Sequence, residues 1–537
     1  MAAAVGMAHT MVAGSEPTAA TNTSSSSSNG GGGGGIPGRV DWANCRRKSA
    51  HVVLCPLVRV GHLNPMMILG QKLAQMGLSV TVLIPGNRPL RRVLNNNPTD
   101  GLDVLLEVLD MAEDEDSWQP SSRSIATGAR RLQVDMCAVA STMSMFQMHG
   151  EALRRKFDEI RRSPSPPVYA VMDYMLFSSA SDGFLAENAS LVPICVFCPI
   201  SAASIIFHMS ASQQTLPSKL ADGFVIPGLP PFRPHDISDY YRETSHVLNL
   251  LFSEHSNLLA EFHRLMINTF YDLENGPLDV LRLDAKATKS KVYAVGPLLP
   301  PEFFKLDLAK PTGDRAVEEI KEHRDRLVKS ADEQRCKEWL DGQPETSVLY
   351  ICFGSWISLS RAQILELAVG LEASEQGFLW VFSRVQEMEA LPEGFVERMA
   401  SSNKGFFYVG WAPQFVILSH SSTGAFVTTC AWNSVLECIS LGGLPMLAWP
   451  ITMDHLPTCR YLVDVLHVAV EVIGDGDERL VGRAEVEAAV RAVTVGEEAA
   501  AMRRRAAALR RAACEAATQE PLRPFVTEVL RHAHQPQ

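Results

Sequence analysis

A chain of 537 residues exceeds what one hydrophobic core usually serves and implies two or more domains. Hydrophobic residues make up 46% and charged residues 20%, the balance of a globular protein, and the formal charge of -11 speaks against a polyanionic partner. No basic stripe interleaved with aromatics is present, so nucleic acid is not expected, and the 11 cysteines, an odd and dispersed set, read as reduced thiols of a cytoplasmic protein.

Residues 14–35, GSEPTAATNTSSSSSNGGGGGG, have nothing to build a core from, so 1–49 is expected to be a disordered leader. The first 40 residues lack a basic start followed by a continuous apolar run, so a secretory signal is not expected. From Ala50 the pattern is strand, loop, helix, strand. HVVLCPL (51–57) is a short apolar run, VRVGHLNP leads into a helix closed by Gly77, and LSVTVLIP (78–85) is the next strand. VYAVMDY (168–174) and VPICVFCP (192–199) continue the series. The apolar stretch 191–207 is interrupted by Pro193 and Pro199 and reads as a strand and a helix start, not a membrane span.

A second cycle follows a charged stretch. SVLYICFGS (347–355) is a strand, Ser360 and Gln363 form a capping box on a helix through Ser374, and FLWVF (378–382) is a strand. GFFYVGW, TGAFVTT, PMLAWP and VAVEVI come next, and one Ala/Arg-rich helix is expected over about 482–516. Short apolar strands alternating with helices indicate α/β doubly wound parallel sheets. The expected division is 50–300, a linker at 301–340, 341–516, and a tail at 517–537 whose helix packs back on the first domain. Ligands of such sheets bind at the carboxyl ends of the strands, here in the cleft between two domains.

WAPQ (411–414), His420, FVTTCAWNS (426–434), Glu437, Pro445, Trp449-Pro450 and Asp454 follow one another in an order that resembles the signature box of plant family 1 UDP-dependent glycosyltransferases. GHLNP (61–65), FGSW-x-SLS (353–360) and LEASEQGFLWVF (371–382) are similar to that family too, and the likeness covers about 50–515. It implies a GT-B type fold of two facing Rossmann-like domains, with acceptor mainly on the first and UDP-sugar mainly on the second. It also implies an inverting transfer of glucose or galactose to a hydroxyl of a small lipophilic acceptor. UDP-sugar is then a co-substrate, with no other cofactor and no metal.

The residue chemistry agrees. Trp411 offers uracil a flat face, with Ala412 beside it in the box; Gln414 and Glu437 match the ribose-binding pair. Trp432, Asn433 and Ser434 stand at an expected helix start, where free N–H groups favour phosphate, and Ser355 resembles a further phosphate contact. Asp454 and His455 take the places that read sugar hydroxyls. His62, after the first strand, matches the family's catalytic base, and Asp173, ending another strand, matches the aspartate that supports it.

Four departures stand out. Thr429 replaces a histidine that donates to the diphosphate, Ala431 replaces a glycine, and the stretch from Glu437 to Pro445 has one residue more, with Gly442-Gly443 as the expected insertion. His455 stands where glucose-using members have glutamine and is associated in the family with galactose donors. If position 431 needs positive φ, alanine is strained there. These departures leave open a degenerate member that binds UDP-sugar with little transfer. A nicotinamide-dependent oxidoreductase is disfavoured, because neither CPLVRVGH nor CFGSWIS contains G-x-G-x-x-G. The acceptor pocket is expected near 140–150, with Met143, Met145, Phe146 and Met148, and near 200–215; acceptor identity and oligomeric state are not legible.

Overall fold

The structure, a computed structural model, describes residues 50–534 apart from 58, 86–103, 110–125, 128–151, 154, 177–191, 212–224, 234–235, 238–262, 289, 301–302, 305–327, 329, 355–356, 452 and 473–479. The leader, Ser355 and the 140–150 segment therefore lie outside the described residues.

The first half carries β1 (His51–Cys55), α1 (Val60–Gln75), β2 (Ser79–Pro85), β3 (Val104–Leu109), β4 (Ala126–Thr127), β5 (Tyr169–Asp173), β6 (Ile194–Cys198), α2 (Ala202–Ala211), β7 (Arg264–Ile267), α3 (Asn275–Thr288) and β8 (Lys291–Ala294). Seven of these strands form a parallel sheet in the order β3-β2-β1-β5-β6-β7-β8. β1, β5 and β6 are buried along their whole length, as strands covered by helices on both faces must be.

The second half carries α4 (Ala331–Asp341), β9 (Val348–Cys352), β10 (Ser358–Leu359), α5 (Arg361–Ser374), β11 (Gly377–Phe382), α6 (Phe395–Ser401), β12 (Gly405–Val409), α7 (Gln414–Leu418), β13 (Thr423–Thr428) and α8 (Trp432–Glu437). β14 (Met446–Ala448), α9 (His455–Asp464), β15 (Ala469–Glu471), α10 (Arg483–Thr494), α11 (Gly496–Thr518) and α12 (Arg523–Ala533) complete it. Its sheet is parallel in the order β12-β11-β9-β13-β14-β15. Ser360 caps α5 by accepting from Gln363 N at 3.2 Å, which fixes where that helix starts.

Both strand orders reverse direction at one place. In the first sheet it lies between β1 and β5, in the second between β9 and β13. Connections leaving neighbouring strands there run to opposite sides and open a crevice at the carboxyl ends. His62 and Asp173 follow β1 and end β5; the 429–437 segment follows β13.

The expected single helix over 482–516 is two. Val495 is extended (φ -122, ψ 147) and Gly496 has φ +91, a left-handed turn that a glycine takes without strain, so α10 stops and α11 restarts in a new direction. α12 then packs on the first half. Leu522, Phe525, Val526 and Val529 join the core that holds Val52, Val80 and Tyr169. Glu528 accepts from Tyr169 Oη (2.9 Å), Arg264 Nε (2.7 Å), Lys291 Nζ (2.5 Å) and Tyr293 Oη.

Candidate active site

β1 ends at Cys55, and Arg59, extended at φ -135 and ψ 139, is the N-cap of α1. His62 thus sits in the first turn of the helix. Its Nδ1 lies 2.8 Å from Asp173 Oδ2. Asp173 is fully buried, and its other oxygen accepts from Met175 N at 3.0 Å. The carboxylate accepts, so Nδ1 carries the proton and Nε2 presents its lone pair. The Tyr174 ring lies parallel to the imidazole, 6.1 Å away and inclined by 17°. One histidine nitrogen is therefore oriented by an enclosed carboxylate, and the other is free to take a proton from a substrate.

Pro65 lies inside α1 and has no N–H to give the Gly61 carbonyl one turn earlier. Asn433 Nδ2 donates to that carbonyl at 2.5 Å, across the cleft between the halves. The G-H-x-x-P spacing thus leaves open a backbone acceptor that the facing half fills.

Opposite, Trp411 is 47% exposed, an indole face left open to solvent. Ala412 is buried, and its carbonyl accepts from Gln414 N at 2.8 Å. Gln414 Oε1 accepts from Tyr350 Oη at 2.9 Å, while its Nε2 donates to Glu437 Oε2 at 2.6 Å and Ser434 Oγ at 3.3 Å. Burial pushes the Glu437 carboxyl up to about 7 against the Gln414 hydrogen bond, although the residue keeps part of its surface open. α8 starts at Trp432, and no side chain caps it. Trp432 itself is 2% exposed and gives its Nε1–H to Asn268 O at 2.7 Å, so its indole bridges the halves and presents no face to a ligand. Thr429 is buried at the end of β13.

Two of the sequence departures turn out to be accommodated. Ala431 has φ -60 and ψ 128; the left-handed residue of the turn is Cys430, at φ +68. The alanine is therefore unstrained. The extra residue between Glu437 and Pro445 enters a π-helix over Cys438–Gly442, with Gly443 N donating to Cys438 O at 2.9 Å. A π-turn takes one residue more than an α-turn, so the insertion is absorbed before β14 begins. Gly442 has to be glycine, because a Cβ would stand 2.4 Å from Leu418 O.

Asp454 is the N-cap of α9, and His455 opens the helix. His455 is 7% exposed, its Nδ1 is enclosed without a hydrogen-bond partner, and burial lowers its pKa, keeping the ring neutral. The first half grips this helix. Ser204 Oγ donates to Asp454 O at 3.2 Å, and Ser201, Ser204 and Thr458 hydroxyls share contacts of 2.7–3.2 Å. Glu274 caps α2 beneath them, accepting from Ala202 N and Ala203 N at 2.9 Å each, and burial pushes its carboxyl up to about 7. Sequence reasoning missed these residues. Their one signal is Ser201 and Ser204, hydroxyls three apart in an otherwise apolar helix start.

Among the described residues no three His, Cys, Asp or Glu side chains gather to hold a metal ion, no helix is long and apolar enough to cross a membrane, and the nine described cysteines form no disulfide with one another.

The family of UDP-glucoronosyl and UDP-glucosyl transferases matches residues 247–502. UDP-glycosyltransferase 72B1 of Arabidopsis thaliana is 30% identical over 492 residues, 87% of this chain and 92% of that protein. The chain is a plant family 1 UDP-glycosyltransferase. Hydroquinone glucosyltransferase of Rauvolfia serpentina is 30% identical over 496 residues, 88% of this chain and 95% of its own. A UDP-glucosyltransferase from Polygonum tinctorium superposes with a TM-score of 0.71 at 25% identity, covering 91% of this chain and 99% of that one. This UDP-glycosyltransferase has the GT-B architecture of two facing Rossmann-like domains and moves a sugar from a UDP-sugar to a small acceptor.

Proposed function

We propose that this enzyme is an inverting transferase in which His62 is the general base and Asp173 its orienting partner. The observation that carries the proposal is the 2.8 Å contact between His62 Nδ1 and buried Asp173 at the crevice of the first sheet, facing the 411–437 segment of the second. The acceptor hydroxyl gives its proton to His62 Nε2 as its oxygen bonds to the anomeric carbon. The bond from that carbon to the β-phosphate oxygen breaks, its electron pair leaves with UDP, and the anomeric configuration inverts. Asp173 keeps the ring in the required tautomer and stabilises the charge it gains.

On the donor side, Trp411 stacks on uracil, with the Ala412 backbone at its edge, and Gln414 with Glu437 takes the ribose hydroxyls. Thr429, Asn433, Ser434 and the Trp432 backbone face the diphosphate, and Ser355 is assigned to it from the sequence alone; Asp454 and His455 read the sugar. No metal is required when side-chain and backbone donors hold the diphosphate. The unpartnered Nδ1 of His455 is a polar atom that a sugar hydroxyl satisfies. The donor is UDP-glucose or UDP-galactose. The acceptor is a small lipophilic hydroxyl compound of plant secondary metabolism, a class to which the named substrates of the hydroquinone and indoxyl glucosylating relatives belong. The setting is the cytoplasm, which agrees with described cysteines that form no disulfide with one another.

Calorimetric titration with UDP, UDP-glucose and UDP-galactose tests the donor half without knowledge of the acceptor. Micromolar binding with a preference for one sugar is expected. No binding at millimolar ligand by folded protein would refute the proposed donor site.

A further inference from the structure

The donor half offers a diphosphate little positive charge. Thr429, Asn433 and Ser434 are neutral, and burial keeps His455 neutral. UDP brings two to three negative charges into the cleft, so a cation is to be sought on the facing half.

The contact between Asn433 and Gly61 sets the turn that carries Arg59 against the donor half. Asn433 Nδ2 reaches Gly61 O at 2.5 Å, and a Cβ on Gly61 would stand 3.1 Å from the same nitrogen. The turn between β1 and α1 therefore lies directly against the 429–434 segment. Arg59 belongs to that turn, two residues before Gly61 and three before His62. Its carbonyl accepts from His62 N at 2.9 Å and Leu63 N at 2.8 Å, which fixes its place at the start of the helix. The residue is partly buried. Burial lowers its pKa, and no carboxylate among the described residues opposes that shift. A guanidinium drawn partly out of water without a counter-ion costs free energy, which a bound anion recovers.

We propose that Arg59 is the diphosphate-binding cation of this enzyme, carried by the acceptor half and brought to UDP where Asn433 meets Gly61. This rests on the UDP-sugar reading of the site. Arginine suits the task, because its planar fork matches phosphate oxygens and stays charged. The positive donor expected at position 429 is then supplied from the opposite side of the cleft, which explains how the chain works with Thr429. Charge grows on the β-phosphate oxygen as its bond to the sugar breaks, so Arg59 serves turnover as well as binding.

The test is calorimetry of the full chain with UDP and with uridine, for wild type, Arg59→Ala, Arg59→Lys and the double variant Arg59→Ala/Thr429→His. Arg59→Ala is expected to weaken UDP roughly ten- to a hundredfold, the size of a lost charge-assisted contact, and to leave uridine unchanged. Arg59→Lys retains part of the affinity, and the added histidine restores part of it. UDP affinity unchanged in Arg59→Ala would overturn the proposal. So would equal losses for UDP and uridine, which indicate damage to the fold. Wild-type protein that binds neither ligand would instead refute the donor site itself.

Discussion

The proposed role of His62 rests on its position and its partner together. It stands in the first turn after β1, and Asp173 ends the neighbouring strand β5, so two residues 111 apart in sequence meet at 2.8 Å. His62→Ala is expected to lower kcat roughly 10²–10⁴-fold with UDP affinity unchanged, read by steady-state kinetics beside calorimetry. Glu437 gives a second prediction. An ionised carboxylate accepts from ribose hydroxyls better than a neutral one, and its pKa is pushed up to about 7. Uridine binding is therefore expected to weaken as pH falls through that value, since protonation competes with the ligand; uridine is the probe because it has no phosphate to titrate. Glu437→Gln flattens the profile, and an unchanged slope in that variant would assign the titration elsewhere. The places of His62, after β1, and of Asp173, at the end of β5, were legible because the ends of apolar runs mark the carboxyl edge of a sheet. The harmlessness of Ala431 was not, since only the backbone shows that Cys430 takes the left-handed place at φ +68. Nor was the enclosure of Trp432, whose partner Asn268 lies 164 residues away.

Elements transmit these positions. The strand-helix alternation was readable, because buried parallel strands leave short apolar runs and Ser360 marks a helix start. The π-turn over Cys438–Gly442 was not, because an added residue can swell a loop or wind into a helix with the same sequence. The break at Val495 escaped notice because Gly496 is a single glycine in an alanine-rich run. The hydroxyl cluster of Ser201, Ser204 and Thr458 ties α2 to α9, and with it the loop of Asp454 and His455. Replacing Ser204 by Ala is expected to raise KM for UDP-sugar several-fold, roughly 1 kcal/mol for one net hydrogen bond, while uridine affinity stays put. Equal changes for both ligands would show that the cluster supports the fold and not the sugar site.

The whole molecule is closed by its C-terminus. α12 returns to the first half, and Glu528 gathers Tyr169, Tyr293, Arg264 and Lys291 around one carboxylate. Desolvation raises the Glu528 pKa, but its hydrogen bonds outweigh it and bring the value from 4.5 to about 2. The folded value lies below the unfolded one, so this stabilisation is present above pH 4.5 and is lost as pH falls towards 2. Glu528→Ala is expected to cost roughly 2–4 kcal/mol at neutral pH, less than a fully enclosed pair because Lys291 is half exposed. Thermal denaturation of the variant should show the deficit at pH ~7 shrinking in acid. The two sheets face each other with their crevices opposed, and transfer requires both sides of that cleft at once. Acceptor-dependent release of UDP from a UDP-sugar, followed for wild type and His62→Ala side by side with a phenolic acceptor panel, probes that requirement most directly. Release by the wild type that disappears in the variant, with UDP still bound, is the expected result. Turnover that survives the loss of His62 would contradict the assignment of the base and the single displacement built on it.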